Sequence, residues 1–223
     1  MPNFHEHFIT TSLQPYAEYE YRATRSLSIT AGIKVSQYGM NLNQYADNRK
    51  TVGSLGGLPR VHHEANYRSW SPSADARYKL RSNWTVYSQF ATGSVIPPSS
   101  VFDTKGALVA VVPKPTTTKT YQAGSVTKFN HWTLDVDAYY NHFQNPCSSF
   151  IDSATGESYF YQTGPSNSKG IDADSNVLIG HGLSLYLNGT VTSAKFQECK
   201  SYPNGLWIPS TPKNTEDVGF TDQ

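Results

Sequence analysis

What this chain has little of narrows it first. Its 223 residues include two cysteines and two methionines, only 16% are charged, and the net charge is +1. So even a balance removes the electrostatic argument for a nucleic-acid partner. No apolar run approaches the ~20 residues of a membrane-spanning helix, and the best, Ala107 to Val112, ends at Pro113. The opening Met1-Pro2-Asn3-Phe4-His5-Glu6-His7 has neither the basic nor the apolar region of a secretory leader, so an internal start or a fragment is expected. A GxSxG elbow, a glycine-rich phosphate loop and a nucleophile–base constellation are also missing, and the chain reads as a non-enzyme without a cofactor.

The scarce cysteines, Cys147 and Cys199, both fall in long connections. A disulfide between them is permitted in an oxidising compartment, and two free thiols fit equally well. Neither has a CxxC partner. The clusters His62-His63-Glu64 and His5-Glu6-His7 place neighbours on opposite faces of an extended chain, so neither converges on one ion and no metal is expected.

What is abundant is tyrosine, 15 residues within an aromatic content of 13%, together with Thr, Ser and Asn. These suit strands with one apolar and one wet face. Alternation is plain in 132–142, where Trp132, Leu134, Val136, Ala138 and Tyr140 oppose Thr133, Asp135, Asp137, Tyr139 and Asn141. Segments 27–37, 171–179 and 182–194 repeat it, and 15–24, 67–79, 84–93, 119–129 and 211–220 fill the gaps. Tight turns at 24–26, 81–83, 130–131 and 180–182 alternate with long connections around 41–65, 94–117, 146–167 and 197–210. A sandwich has no reason to sort its turns by length. A transmembrane barrel does, with short periplasmic turns and long outer loops. The predicted fold is therefore all-β, an antiparallel up-and-down transmembrane β-barrel segment of about nine strands. Trp84, Trp132, Phe129 and Tyr78 beside the short turns are placed in an interfacial girdle.

Four blocks carry a resemblance. Trp70-Ser71-Pro72 through Tyr78-Lys79-Leu80, followed by Asn83-Trp84-Thr85-Val86-Tyr87-Ser88, forms the first. Lys114-Pro115, Thr120-Tyr121-Gln122-Ala123-Gly124 and Leu134-Asp135-Val136-Asp137-Ala138-Tyr139-Tyr140 form the second. Lys169-Gly170-Ile171-Asp172 with Gly182-Leu183-Ser184-Leu185, and Thr211-Pro212-Lys213-Asn214-Thr215, complete the set. In this order they resemble the C-terminal half of the barrel of TonB-dependent outer-membrane receptors. Nothing resembles that family's plug or energy-coupling box, nor its final aromatic-ended strand. The expectation is a partial barrel domain over 1–223, incomplete because about nine strands fall short of the ~22 of a plugged transporter.

The resemblance implies the outer membrane of a Gram-negative bacterium, energy-coupled uptake of a scarce nutrient such as a ferric siderophore, and non-covalent capture by outer loops. Its implied partners are outer-membrane lipid, a small nutrient ligand and, through the parent's missing N-terminal region, the TonB complex. Loop aromatics Tyr45, Phe102, Tyr159, Tyr161 and Trp207 are candidate ligand contacts. Asp135, Asp137, Asp172 and Asp174 form an expected acidic stripe on the lumen side. A passive pore or structural surface barrel, and a soluble β-sandwich carbohydrate-binding or adhesin module, remain as alternatives.

Overall fold

The structure is a computed structural model that describes residues 6–45, 61–97, 114–151, 153, 158–180, 182–197 and 204–222. Every element among the described residues is a strand: β1 (Glu6–Leu13), β2 (Tyr16–Arg22), β3 (Leu27–Gln44), β4 (Val61–Arg81), β5 (Trp84–Val95), β6 (Thr116–Lys128), β7 (Trp132–Gln144), β8 (Cys147–Ile151), β9 (Ser158–Gln162), β10 (Ser166–Gly180), β11 (Leu183–Phe196) and β12 (Asn214–Asp222). Ten of them build one antiparallel sheet in the order β1-β3-β4-β5-β6-β7-β10-β11-β12, with β2 also on β3. β1 pairs with 37–44 and β2 with 28–34 of β3, end to end, so the ten strands fill nine positions. The remaining two, β8 and β9, form a separate hairpin in the connection between β7 and β10.

This is the expected up-and-down meander, and the sheet does not close: β12 and the β1/β2 position are its edges. A sandwich would need a second large sheet, and the described strands make a single layer plus one hairpin.

Register fixes the two faces. Along one face Leu27, Ile29, Ala31, Ile33 and Val35 sit opposite Tyr78, Ala76, Ala74, Pro72 and Trp70. The same face continues through Phe90, Tyr121, Tyr140, Ile171 and Val191. Its large side chains are bare, with Ile171 56% and Val191 63% exposed. So broad an apolar surface would be an aggregation liability in water and is what hydrocarbon requires. Trp84 and Trp132 close this face beside the short turns, their indole N–H groups donating to Ser125 Oγ (2.7 Å) and Ser175 Oγ (2.6 Å). Phe129 stacks on Trp132 at 5.5 Å. An aromatic with a satisfied polar tip suits a membrane interface.

Pro72 lies within β4, where a missing N–H normally breaks a ladder. The β4–β5 pairing stops just there, at Ser73↔Ala91, and the Thr92 hydroxyl donates to the Pro72 carbonyl at 3.2 Å. One side-chain bond thus replaces the lost rung.

β3 and β4, at 18 and 21 residues, are longer than expected from 27–37 and 67–79. At ~3.3 Å per residue they reach about 60 to 70 Å, well past a ~30 Å hydrocarbon core even when tilted. Beyond the membrane the opposite face turns apolar: Met40, Leu42, Ala65 and Tyr67 are buried, with Phe8, Tyr38 and Ile96 packed on them. This small core anchors the loop ends of the first strands.

Candidate functional site: the lumen wall and loop ends

The face opposite the apolar one carries the polar chemistry. In the β7–β10 ladder Asp137 lies directly across from Asp172, and Asp135 from Asp174. Like charges at directly opposed positions normally destabilise a sheet, so this pairing needs compensating donors. Tyr87 on β5 provides one, its hydroxyl lying 3.2 Å from Asp135 Oδ1 and 3.3 Å from Asp137 Oδ2. On the other side the Tyr186 hydroxyl donates to Asp174 Oδ1 at 3.2 Å, and the Asn188 amide donates to the same oxygen. Asp137 Oδ1 and Asp172 Oδ1 stay buried with no hydrogen-bond partner. The four aspartates of the predicted stripe thus do share one face, and they retain acceptor capacity.

Glycines make room for these tyrosines. A Cβ on Gly124 would stand 2.6 Å from the Tyr87 ring carbon bearing the hydroxyl, and one on Gly170 would stand 2.6 Å from the Tyr139 hydroxyl. Each ring therefore crosses a bare backbone, and Tyr139 goes on to share a 2.6 Å hydrogen bond with Thr192. Further along, at β2–β5, the wall mixes signs: Arg22 pairs with Glu20 and Arg77 with Asp75, both at 3.0 Å. A cavity of about 380 Å³ opens there, lined by Glu18, Glu20, Thr30, Asp75, Arg77 and Gln89.

The β8–β9 hairpin lies in the connection read as an irregular loop. Its base is tied to the chain before β6: Gln162 Nε2 donates to the Lys114 carbonyl at 2.6 Å, and Thr116 Oγ1 donates to the Asn145 carbonyl at 2.9 Å. Asn145 makes the bend in the left-handed region at φ 51°, which Asn tolerates better than most residues. Replacing Gln162 by alanine is expected to cost about 1 kcal/mol of local stability. Hydrogen exchange checks this, with faster exchange at 147–151 and 158–162 and no change in β5–β7.

The predicted loop aromatics separate. Tyr45 is exposed just past β3, Tyr161 is half-buried in β9, and Tyr159 belongs to β9 opposite Phe150. Trp207 bridges to Lys195 on β11 and so lies on the apolar side of the sheet, where its indole N–H donates to the Thr211 carbonyl at 3.0 Å. Phe102 and Cys199 lie outside the described residues, as do the Cys147 side chain and His5. His62 shares a 2.8 Å hydrogen bond with Asn43, and no group of three metal-ligating side chains occurs among the described residues. Sequence reasoning missed the apolar cluster of 38–42 and 65–67, whose signal was a reversal of the alternation beyond Ser36.

The model of the TonB-dependent receptor-like β-barrel family matches residues 2–221. The chain belongs to that family. Its members are outer-membrane proteins of Gram-negative bacteria, which gives the bare apolar face its lipid and the polar face its lumen. Solved structures share the fold: the ferric yersiniabactin uptake receptor FyuA of Yersinia pestis aligns at a TM-score of 0.71 and 17% identity, covering 97% of this chain and 32% of that one. The siderophore receptor PiuA of Acinetobacter baumannii aligns at 0.72 and 17%, covering 96% and 31%. The ferric citrate transporter FecA, unliganded, aligns at 0.74 and 16%, covering 98% and 31%. The chain thus spans about a third of the length of these receptors. No curated protein matches it.

Proposed function

We propose that the chain is a wall segment, over 1–223, of a longer energy-coupled receptor that takes up a ferric chelate. The observation carrying this reading is the open nine-position sheet, apolar outside and polar inside, within a family match over almost the whole sequence. Open edges do not persist in lipid, so the edges at β12 and β1/β2 call for further strands of a parent barrel. The acidic stripe of Asp135, Asp137, Asp172 and Asp174 on the polar face suits hydrogen-bond donors of a plug inside that barrel, which the TonB complex would engage. Tyr45 just past β3, and Tyr159 and Tyr161 of β9, are the aromatic residues assigned to chelate capture. Two of the three structural relatives name a ferric ligand and the third is a siderophore receptor, which favours iron as the cargo. The chemistry is non-covalent throughout.

The test is growth of iron-starved cells carrying the full-length receptor on a panel of ferric catecholate, hydroxamate and carboxylate chelates, with and without functional TonB. At least one chelate is expected to restore growth, and only with TonB. Growth that persists without TonB would indicate a passive pore, and no rescue by any chelate would exclude iron uptake.

A further inference from the structure

Neither histidine cluster converges on an ion by itself, because neighbours on a strand face apart. The sheet joins them. Asn43 on β3 pairs with His7 of β1 on one side and with His62 of β4 on the other. Directly opposed residues of antiparallel strands share a face. One histidine from each cluster therefore stands in a single row, and both are exposed. Two strand spacings of ~4.8 Å put their backbones roughly 10 Å apart, a gap that two imidazoles leaning over Asn43 can close on one ion. His63 takes the other face, opposite Leu42.

The row lies beyond the hydrocarbon. At ~3.3 Å per residue Asn43 is about 50 Å along β3 from Leu27, and the hydrocarbon core is only ~30 Å thick. Here the outward face is polar, with Gln37, Asn41 and Asn43 on β3 and Asn66 on β4, so water reaches the histidines.

His62 also has the hydrogen bond that an imidazole ligand needs. The Asn43 amide nitrogen donates to Asn41 Oδ1 at 2.7 Å, which fixes the orientation of the Asn43 amide. Its oxygen only accepts, so the 2.8 Å contact with His62 Nδ1 is a donation from Nδ1–H. The proton is held on Nδ1 and the lone pair is left on Nε2. Metal-ligating histidines are oriented by this kind of bond from the other ring nitrogen. His142 shares a 2.7 Å bond with Asn167, but Lys119 and Lys195 flank that pair and would repel a cation.

We propose that His7 and His62 bind one divalent transition-metal ion through imidazole nitrogens, at the outer end of the first strands. Glu64 shares the face, opposite Asn41, and adds negative charge beside the ion. No third His, Cys, Asp or Glu joins them among the described residues, so water fills the remaining positions. Two imidazoles with exchangeable water favour Cu(II) over Ni(II) and Zn(II) by the usual order of affinities. The ion ties the edge strand β1 to β4 across β3.

The test is calorimetric titration of Cu(II) into the tag-free, detergent-purified full-length receptor, with electron paramagnetic resonance of the bound ion. His7→Gln and His62→Gln should each remove one equivalent of binding, with the nitrogen couplings that belong to it. The double variant should lose that same single equivalent, because both rings serve one ion. Asn43→Ala, which frees the His62 ring, should weaken this site about tenfold, and His63→Gln should bind as wild type does. Unchanged binding in either single variant, or two equivalents lost in the double variant, would overturn the proposal.

Discussion

Gly170→Val should strongly destabilise the barrel by overpacking this wall. A Cβ there meets the Val191 carbonyl oxygen, which is backbone and cannot swing away, as well as the Tyr139 ring at 2.6 to 2.8 Å. Displacing that ring also breaks the Tyr139–Thr192 hydrogen bond. Overpacking costs about 1–3 kcal/mol and the lost bond about 1 kcal/mol, so a total near 3 kcal/mol is expected. Urea unfolding of the full-length receptor in lipid vesicles measures it as a lowered midpoint. Gly189→Ala serves as the control, since nothing stands within 4 Å of its added Cβ. A wild-type midpoint for Gly170→Val would mean that Tyr139 does not cross this glycine.

The second large effect separates the faces. Val136 points into lipid and its neighbour Asp137 into the lumen, on one strand and at one height. Val136→Arg is expected to cost about 2–4 kcal/mol, the range for a cation on the lipid face near the midplane. Asp137→Asn should change stability by less than about 1 kcal/mol because it keeps the Tyr87 hydrogen bond and relieves the charge opposed at Asp172. The same unfolding assay reads both variants. Comparable losses, or a larger loss for Asp137→Asn, would reverse the face assignment.

Much of this architecture was legible in the order of residues. Alternation along 27–37, 132–142 and 182–194 depends only on which neighbours meet lipid, so a single sequence reveals it, and the short turns mark one end of every strand. The acidic stripe followed from the same parity. What escaped depended on surroundings the local pattern does not encode. Above the membrane the inner positions of β3 and β4 change from Ser36 to Met40 and Leu42, because there they meet other protein rather than water in a lumen. The first edge strand was half missed, since β1 precedes Pro15 and shares its partner with β2. The β8–β9 hairpin was hidden because its five-residue strands are too short to show a period. Its base is held by long-range side-chain bonds, among them Gln162 to the Lys114 carbonyl and Thr116 to the Asn145 carbonyl. Trp207 was grouped with loop aromatics, and only its bridge to Lys195 shows which side of the sheet it takes.

The central claim is that one face of this sheet lies in lipid and the other lines a water-filled lumen. Nitroxide scanning of 132–142 in the full-length receptor, reconstituted in vesicles after replacing Cys147 and Cys199 by serine, tests it directly. Labels at Leu134, Val136 and Ala138 should collide with oxygen dissolved in the bilayer, and labels at Thr133, Asp135, Asp137 and Tyr139 with a water-soluble nickel chelate. A period of two in accessibility, with those phases, is the predicted result. Uniform accessibility along the strand, or the opposite phase, would contradict the account.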